Sequence, residues 1–351
     1  MRQINWISIV GDDPSLGGGV ARAVSNIKKL KLFDNRFQYT SFYKVPYHRQ
    51  LKQIFKLLMA GETNFVIHSV LSAPSIFLLL APVRIKLIIL PHGELNPGAL
   101  SKKKLKKYLS LYCIRFFHYF LRNSKQVKII ATSKNELDLF ANFYKEAEKI
   151  IVPDIYSYSD VLSVSERINP DSGQNLILIG RINADKGFSH FLLQLASHFD
   201  NRPMLSEISG INIFYIPEDE QELKKIEAAV GVVRSRGVEV NLHNSFSRDQ
   251  IIESISQLQN RRVVIPSRYE SFSYVLIESL GFELCPIVWF DNTLSSKLHK
   301  SGLCIISNYG DVSDVLDTSE HFLDEKNVEG FFSKSERFIF DTYIREIVRW
   351  F

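Results

Sequence analysis

The chain has 351 residues, of which 45% are hydrophobic and 23% charged, a composition typical of folded proteins that excludes long disordered tracts. This length exceeds what one hydrophobic core usually organises, so it predicts two domains. The three cysteines, Cys113, Cys285 and Cys304, show no paired spacing, which argues against a disulfide framework or a zinc site and fits a reducing cytoplasm.

The net charge of +5 is unevenly distributed along the chain. A basic cluster between positions 102 and 128 contains no Asp or Glu. Such a patch favours an anionic partner, which can be a membrane, a nucleic acid or a phosphorylated substrate. Residues 1–10 are typical of a buried strand rather than of a secretion signal, and prolines and basic residues interrupt the apolar stretch 71–90. We therefore expect a cytoplasmic protein.

Short β-rich runs alternate with longer helical patterns, which is typical of parallel sheets covered by helices on both faces. The fold class is therefore α/β. Strands are predicted at 5–10, 64–70, 86–90, 127–131 and 149–152 in the first half, and at 176–179, 211–216, 238–242, 262–265, 286–289 and 303–306 in the second half.

The polar segment 154–174 contains the turn-forming residues Pro170 and Gly173 and marks the boundary between the halves. We place an N-terminal domain at 1–160 and a C-terminal domain at 161–335. Residues 336–351 have apolar side chains at helical spacing, so they predict a terminal helix, which we assign to the N-terminal domain.

Ligands of open parallel sheets bind beyond the carboxyl ends of the strands, so the strand-to-helix loops are the candidate sites. The first such loop, 11–19, ends in three consecutive glycines, Gly17, Gly18 and Gly19. Glycine lets the backbone approach a ligand closely and direct amides towards an anion. The spacing matches neither a dinucleotide fingerprint nor a phosphate-binding loop, and a purely structural turn is an equal alternative.

A second loop, Pro91-His92-Gly93-Glu94, directly follows the strand predicted at 86–90. The imidazole and the carboxylate can hydrogen-bond sugar hydroxyls, and His92 can place its ring or its backbone carbonyl beside a reacting centre. A histidine that only stabilises the fold is the competing interpretation.

A third loop, 180–187, carries Arg181 and Lys186 between an apolar strand and a helix. A planar guanidinium and a flexible ammonium on one short loop can clamp a diphosphate and neutralise the charge that grows on a departing phosphate. Solvated surface cations are the alternative.

The fourth loop follows the strand predicted at 262–265 and contains Glu270, with Glu278 expected two turns into the next helix. A partly buried Glu278 needs hydrogen bonds, and the paired hydroxyls of a ribose supply two. Glu270 is predicted to contact the transferred sugar. The amides of Ser271, Phe272 and Ser273 are predicted to contact phosphate. An exposed glutamate paired with a cation is the alternative.

Taken in order, these pieces resemble the retaining glycosyltransferases of family 4, which have the GT-B architecture of two Rossmann-like domains facing a cleft. The resemblance covers most of the chain. It rests on the glycine-rich loop, Pro91-His92-Gly93, Ala131-Thr132-Ser133, Gly180-Arg181 with Lys186-Gly187, and Glu270-x7-Glu278 after Pro266-Ser267. The chain departs from the family at Asp154-Ile155, where an Asn-Gly-Ile-Asp type turn is common, and at Phe272-Ser273-Tyr274, where Phe-Gly is usual.

The resemblance implies a metal-independent, retaining glycosyltransferase of the EC 2.4 type without a cofactor. Its donor would be a UDP- or GDP-linked sugar, and its acceptor a glycan or a lipid-linked saccharide in bacterial surface polysaccharide assembly, such as O-antigen, capsule or exopolysaccharide. The implied catalytic residues are His92, Arg181, Lys186 and Glu270. Most of the implied donor-binding residues lie in the C-terminal domain, and two belong to the glycine-rich loop of the N-terminal domain. They are Gly17, Gly18, Gly180, Arg181, Lys186, Glu270, Ser271, Phe272, Ser273 and Glu278. The implied acceptor-binding residues of the N-terminal domain are Gly19, His92 and Glu94.

The basic cluster begins a segment, 101–123, that combines lysines with aromatic and aliphatic residues. We predict that Lys102, Lys103, Lys104, Lys106 and Lys107 bind anionic lipid at the inner face of the cell membrane. An equal alternative is that the segment forms a core helix and that its basic start is simply solvated.

Two other function classes stay open: a nucleotide-sugar epimerase of the same fold, and a noncatalytic module that binds nucleotide sugar or nucleic acid. We expect no nucleic-acid partner, because the aromatic residues fit a core better than stacking platforms.

Overall fold

The computed structural model describes residues 3–9, 19–28, 37–80, 84–94, 109, 112, 125–143, 147–162, 173–201, 208–244, 248–282, 284–316 and 323–351. The chain divides into two compact units. Unit 1 comprises Met1–Tyr156 with Ser335–Phe351, and unit 2 comprises Ser157–Lys334. The predicted domains, 1–160 with 336–351 and 161–335, have nearly the same limits, whereas the binding roles assigned to them stay predictions.

Unit 1 is built on a six-stranded sheet with the order β2-β1-β3-β4-β5-β6, and the paired strands are parallel. Every residue of β1 and β3 is buried, as expected where helices cover both faces of a sheet. The strands are β1 Ile4–Ser8, β2 Phe37–Ser41, β3 Asn64–His68, β4 Ile85–Leu90, β5 Lys125–Ala131 and β6 Glu148–Ile151. The helices are α1 Gly19–Lys28, α2 Tyr47–Met59, α3 Ala73–Leu80 and α4 Lys134–Phe143.

Unit 2 has a second parallel sheet of six strands, with the order β12-β11-β10-β7-β8-β9. Its strands are β7 Gln174–Ile182, β8 Ile208–Pro217, β9 Val240–Asn244, β10 Arg261–Ile265, β11 Ile287–Val288 and β12 Ile305–Ile306. Its helices are α5 Phe188–Asn201, α6 Glu220–Arg234, α7 Arg248–Ile255, α8 Tyr274–Glu278, α9 Thr293–Lys300 and α10 Ser313–Leu316. Short 3-10 turns occupy Tyr158–Asp160, Ala184–Lys186 and Ser279–Gly281.

Both sheets are doubly wound, which confirms the predicted α/β class. In unit 2 the chain runs outwards from β7 through β8 to β9 and then returns to the other side of β7 as β10. The switch point, where the direction of winding reverses, therefore lies between the carboxyl ends of β7 and β10. Open α/β sheets bind their ligands at such points. In unit 1 the corresponding point lies between β1 and β3.

The last helix, α11 Glu325–Trp350, begins before the predicted start at 336 and ends against the sheet of unit 1. The buried ammonium of Lys128, on β5, lies 2.7 Å from the carboxylates of both Glu346 and Glu148. Lys86 on β4 donates a hydrogen bond of 3.1 Å to the carbonyl of Trp350. The contacts of Lys128 with Glu346 and of Lys86 with Trp350 bind the end of α11 to β5 and β4. Among the described helices, none has the length and apolar composition needed to cross a membrane.

The sequence patterns missed one strand, β2. Its residues, Phe37-Gln38-Tyr39-Thr40-Ser41, include only one that is fully buried. Among the described strands it pairs with β1 alone, as an edge strand does, so it needs fewer of the apolar residues that identify a central strand. β7 also extends to Ile182, three residues beyond the predicted end, so Gly180 and Arg181 belong to the strand rather than to the loop after it.

Candidate functional site

The loops that follow β7 and β10 pack tightly against each other at the switch point of unit 2. Gly187 has a left-handed backbone with φ +69°, and a Cβ atom at this position would lie 2.1 Å from the carbonyl oxygen of Pro266. The amide of Arg268 donates a hydrogen bond of 2.8 Å to the carbonyl of Asp185. Only glycine fits at 187, because a side chain would be strained and would also displace the Pro266 backbone.

Lys186 and Glu270, predicted in separate loops, form an ion pair at this contact. The ammonium of Lys186 and the hydroxyl of Ser267 both donate to Oε1 of Glu270, the latter at 2.8 Å. Ser267 is buried, and the Lys186 and Glu270 side chains are 23% and 12% exposed. The carboxylate therefore has a fixed position between a buried hydroxyl and a partly accessible cation.

Arg181 lies next to the end of β7 with its side chain half exposed. One guanidinium nitrogen lies 2.5 Å from Oε1 of Glu218, and the side chain of Asn183 donates to Oε2 of the same carboxylate at 3.0 Å. Glu218 thus holds Arg181 at the carboxyl edge of the sheet. No sequence pattern singled out Glu218, although its position directly after β8 was a signal.

The segment predicted to bind phosphate through its amides is held by Asn292, which the sequence analysis also missed. The Asn292 side chain donates to the carbonyls of Glu270 at 3.3 Å and Phe272 at 3.1 Å, while its oxygen caps the start of α9. Ser273 has φ +80°, a left-handed conformation that is uncommon for a residue with a side chain. Ser271, Phe272 and Ser273 therefore form a constrained turn before α8.

Glu278 is the last residue of α8, so it lies one turn into the helix rather than the predicted two. The helix has five residues and continues as the 3-10 turn Ser279–Gly281. The Glu278 side chain is partly buried, as predicted, and its carbonyl accepts a hydrogen bond of 3.1 Å from Leu162.

In unit 1, a chain of hydrogen bonds links four buried side chains: Trp6 on β1, His68 at the end of β3, His92 after β4 and Asp154 after β6. Trp6 Nε1 lies 2.5 Å from His68 Nε2, His68 Nδ1 lies 2.6 Å from His92 Nε2, and His92 Nδ1 lies 2.8 Å from Asp154 Oδ1. Because Trp6 can only donate, the network assigns the His68 hydrogen to Nδ1 and the His92 hydrogen to Nδ1. Both ring nitrogens of His92 are therefore occupied, and its side chain is only 3% exposed.

The two histidines differ in their affinity for a proton. Burial, followed by repulsion from His92, holds the pKa of His68 well below its usual value. Burial also disfavours a charge on His92, but the attraction of Asp154, Glu136 and Glu94 outweighs it and raises the pKa of His92. If His92 were protonated, its Nε2 would donate a hydrogen bond to His68 Nδ1. His68 would then have to carry its own hydrogen on Nε2, which is the nitrogen that faces the Trp6 donor.

Two carboxylates hold the Pro91–Glu94 turn. Glu136 accepts hydrogen bonds from the Gly93 amide at 2.5 Å and the Thr132 amide at 3.1 Å. Glu94 accepts from the Ser69 hydroxyl at 2.8 Å and the Val70 amide at 2.6 Å. These contacts support a strained backbone, in which His92 has φ +48° and Ser69 has φ +91°. Non-glycine residues in such conformations cost about 1–3 kcal/mol each and cluster at functional sites.

Glu136 is fully buried, and burial raises the pKa of its carboxyl from 4.5 to about 7. The hydroxyl of Tyr343, on α11, has no hydrogen-bond partner among the described residues, and burial, followed by Asp154 and Glu136, raises its pKa well above 10. No sequence pattern marked His68, Glu136 or Asp154 as a member of a site. His68 was signalled by its position at the end of an apolar strand.

Some predicted residues cannot be placed in the site. Gly19 begins α1. Gly17, Gly18, Lys102, Lys103, Lys104, Lys106 and Lys107 lie outside the described residues. Within the part of the chain that the structure describes, no group of three or more His, Cys, Asp and Glu side chains has a metal-binding arrangement.

No protein-family model and no curated protein matches the sequence. Solved structures do match the fold over almost the whole chain. Sucrose-phosphate synthase from Thermosynechococcus elongatus has a TM-score of 0.67 at 13% identity and covers 99% of this chain and 98% of its own. A lipopolysaccharide outer core galactosyltransferase in its apo form has a TM-score of 0.65 at 13% identity, with both chains covered completely at 100%.

The catalytic domain of starch synthase IV from Arabidopsis thaliana, bound to ADP and acarbose, has a TM-score of 0.61 at 11% identity and covers 99% of each chain. At such low identities the similarity establishes the fold alone. The chain therefore has the GT-B fold, with two doubly wound α/β units.

Proposed function

We propose that the chain is a retaining, metal-independent glycosyltransferase that moves a sugar from a nucleotide-diphosphate sugar to a glycan or lipid-linked acceptor. The observation that carries this proposal is the contact between the loops after β7 and β10. It brings Lys186 and Glu270 together at the switch point of unit 2, where doubly wound sheets bind their ligands. The similarity of the fold to solved sugar-transferring enzymes supports the same proposal.

Arg181 and Lys186 would bind the donor diphosphate. Arg181 is paired with Glu218, and Lys186 is paired with Glu270. A bound diphosphate would therefore either displace these carboxylates from the cations or share the cations with them. When the bond between the anomeric carbon and the phosphate oxygen breaks, negative charge develops on the leaving nucleoside diphosphate. Cations held at that point stabilise the transition state more than the bound donor, which is the condition for faster reaction.

The carboxylates would orient the rest of the donor. Glu270, fixed by Ser267, would accept hydrogen bonds from hydroxyls of the sugar, and Glu278 would bind the ribose. The left-handed turn at Ser273 would direct amides towards phosphate. In unit 1, both ring nitrogens of His92 are used internally, so we assign its contact with substrate to the backbone carbonyl. Glu94 and Glu136 would support that turn.

Retention would follow from attack on the face that the leaving group departs from. The acceptor hydroxyl forms the new bond to the anomeric carbon, and its proton passes to the departing phosphate oxygen. This route needs no separate carboxylate base, in contrast to retaining glycosidases with two carboxyl groups.

The proposal is tested by incubating the protein with a panel of UDP- and GDP-sugars. A true donor is expected to raise the melting temperature, because a ligand that binds only the folded state stabilises it. Mass spectrometry and NMR of the products then show whether the sugar reaches an acceptor and whether the anomeric configuration is kept. Isomerised donor formed without any acceptor would instead identify an epimerase.

Two variants, Arg181→Ala and Glu278→Ala, are expected to lose transfer while they keep the melting temperature of the unliganded protein. Glu227→Ala, which changes an exposed residue of α6, is the matched control and should transfer as wild type. Wild-type rates in both site variants would refute the assignment of the site.

A further inference from the structure

Helix α2 of unit 1 exposes large apolar side chains to solvent. Tyr47 and Met59 are each 72% exposed, and Phe55 is 54% exposed. Three cations, Arg49, Lys52 and Lys56, are exposed on the same helix. We call Arg49, Lys52, Phe55, Lys56 and Met59 the α2 patch. Single exposed apolar residues are common on protein surfaces, but a group of large ones on a single helix marks an interaction surface.

The arrangement of the patch follows from the helix geometry. Gln50 and Ile54 are buried and face the rest of unit 1, and Gln50 donates to the carbonyl of Val45 at 2.7 Å. Side chains four positions apart lie one above the other on a helix. Phe55 and Met59 therefore form an apolar ridge, and Lys52 and Lys56 form a cationic row beside it. Arg49 extends that row by one turn.

The lack of carboxylates near its cations distinguishes this helix from an ordinary solvated surface. The sequence from 37 to 61 contains no Asp or Glu. Among the described residues, the three cations of the α2 patch make no ion pair with a carboxylate, and Lys44, in the turn before the helix, is a further exposed cation. A row of cations beside an apolar ridge is complementary to a surface that is both apolar and negatively charged.

We propose that the α2 patch binds unit 1 to the surface of a bilayer that contains anionic lipids. A helix in the plane of a bilayer places bulky apolar side chains at the boundary between headgroups and acyl chains and places Lys and Arg at the phosphates. Phe55 and Met59 fit the first position, and the cationic row fits the second. The attachment is independent of sugar transfer and uses residues other than Lys102–Lys107.

The test is cosedimentation of the full chain with vesicles of phosphatidylcholine alone and of phosphatidylcholine mixed with phosphatidylglycerol. The wild type is expected to bind the mixed vesicles and to release as salt increases. Replacing the cations in R49Q/K52Q/K56Q should weaken binding about tenfold or more, because each cation near an anionic surface contributes attraction. Removing the ridge in F55S/M59S should also weaken binding, because the apolar anchor is lost.

The control is K224Q/K297Q/K300Q, which removes the same charge from unit 2 and should sediment as wild type. All six positions of the two cation variants are partly or fully exposed, so their melting temperatures should remain those of the wild type. The proposal is overturned if the wild type does not bind mixed vesicles, if both α2 variants bind as well as wild type, or if only removal of Lys102–Lys107 abolishes binding. Binding to a soluble polyanion but not to vesicles would assign the patch to an acidic macromolecule and would also overturn it.

Discussion

Lys186 contacts Oε1 of Glu270, although the two residues are 84 positions apart in the chain. They meet because β7 and β10 are neighbours in the sheet while the chain runs through β8 and β9 between them. The contact joins the two loops that carry the proposed diphosphate and sugar contacts. A change to either residue should therefore affect both parts of a donor.

Replacing Lys186 by Met should reduce kcat/KM for sugar transfer by about 100-fold or more, because removing one preorganised electrostatic contact to a developing anion has this effect. It also leaves the Glu270 carboxylate without its cation. The matched control is Lys225→Met, which removes an exposed lysine of α6. Steady-state kinetics on the two variants makes the comparison, and a Lys186→Met enzyme within twofold of wild type would exclude the diphosphate contact.

Glu218 would compete with the proposed diphosphate for Arg181, since it lies 2.5 Å from the guanidinium. Glu218→Gln removes a negative charge beside the proposed diphosphate site, so we expect the nucleoside diphosphate to bind several-fold more tightly at low salt. Isothermal titration calorimetry measures this change. The gain should vanish in the double variant R181A/E218Q, whereas Glu220→Gln, nearby on α6, should bind as wild type. If Glu218→Gln raised the affinity equally in the presence and in the absence of Arg181, the charge of Glu218 would act on the ligand independently of Arg181.

The close contact at Gly187 should make this residue essential for stability. Gly187→Ala puts a methyl group 2.1 Å from the Pro266 oxygen on a backbone with φ +69°, so the loops must separate. We expect a loss of about 2 kcal/mol or more in the free energy of unfolding. Gly231→Ala is the control, because it adds a methyl group to open space within α6 and should stabilise by about 0.5–1 kcal/mol. Urea unfolding distinguishes them, and similar effects at both positions would contradict the model of tight loop packing.

The buried carboxyl of Glu136 should make the stability of unit 1 depend on pH. Its pKa is raised in the folded state from 4.5 to about 7, so the folded protein binds the proton more tightly than the unfolded chain. The tighter proton binding contributes about 3 kcal/mol to the free energy of unfolding. This contribution is fully present below pH 4.5 and is lost as the pH rises through about 7. The variant Glu136→Gln cannot ionise.

The measurement is the free energy of unfolding of wild type and Glu136→Gln across this pH range. Gln is expected to destabilise at low pH, because it cannot accept the hydrogen bonds of Gly93 and Thr132 equally well. The difference between the two proteins should shrink as the pH rises, since only the wild type then carries a buried charge. Asp138→Asn, an exposed change on α4, should follow the wild type. A difference that stays constant with pH would mean that Glu136 titrates normally.

The amino-acid sequence by itself determined the α/β class, eleven of the described strands and the loops that carry Lys186 and Glu270, whereas it placed Arg181 in a loop although this residue belongs to β7. These features are local, because apolar runs, helical spacing and glycine turns lie within a few consecutive residues. The sequence could not identify β2, since an edge strand with one fully buried residue lacks a distinct apolar pattern. It also misjudged how far α8 extends, because the helix gives way to a 3-10 turn after Glu278.

Only the tertiary structure decided which side chains meet. Trp6, His68, His92 and Asp154 come from four separate parts of the chain and form one hydrogen-bonded line, and Asn292 reaches back to Glu270 and Phe272. No short-range pattern contains these contacts, because they depend on the order and register of strands that are distant in sequence. The position of a polar group in the chain shows that it is available, whereas its burial and partners, which determine its charge and its role, exist only once the sheet has formed.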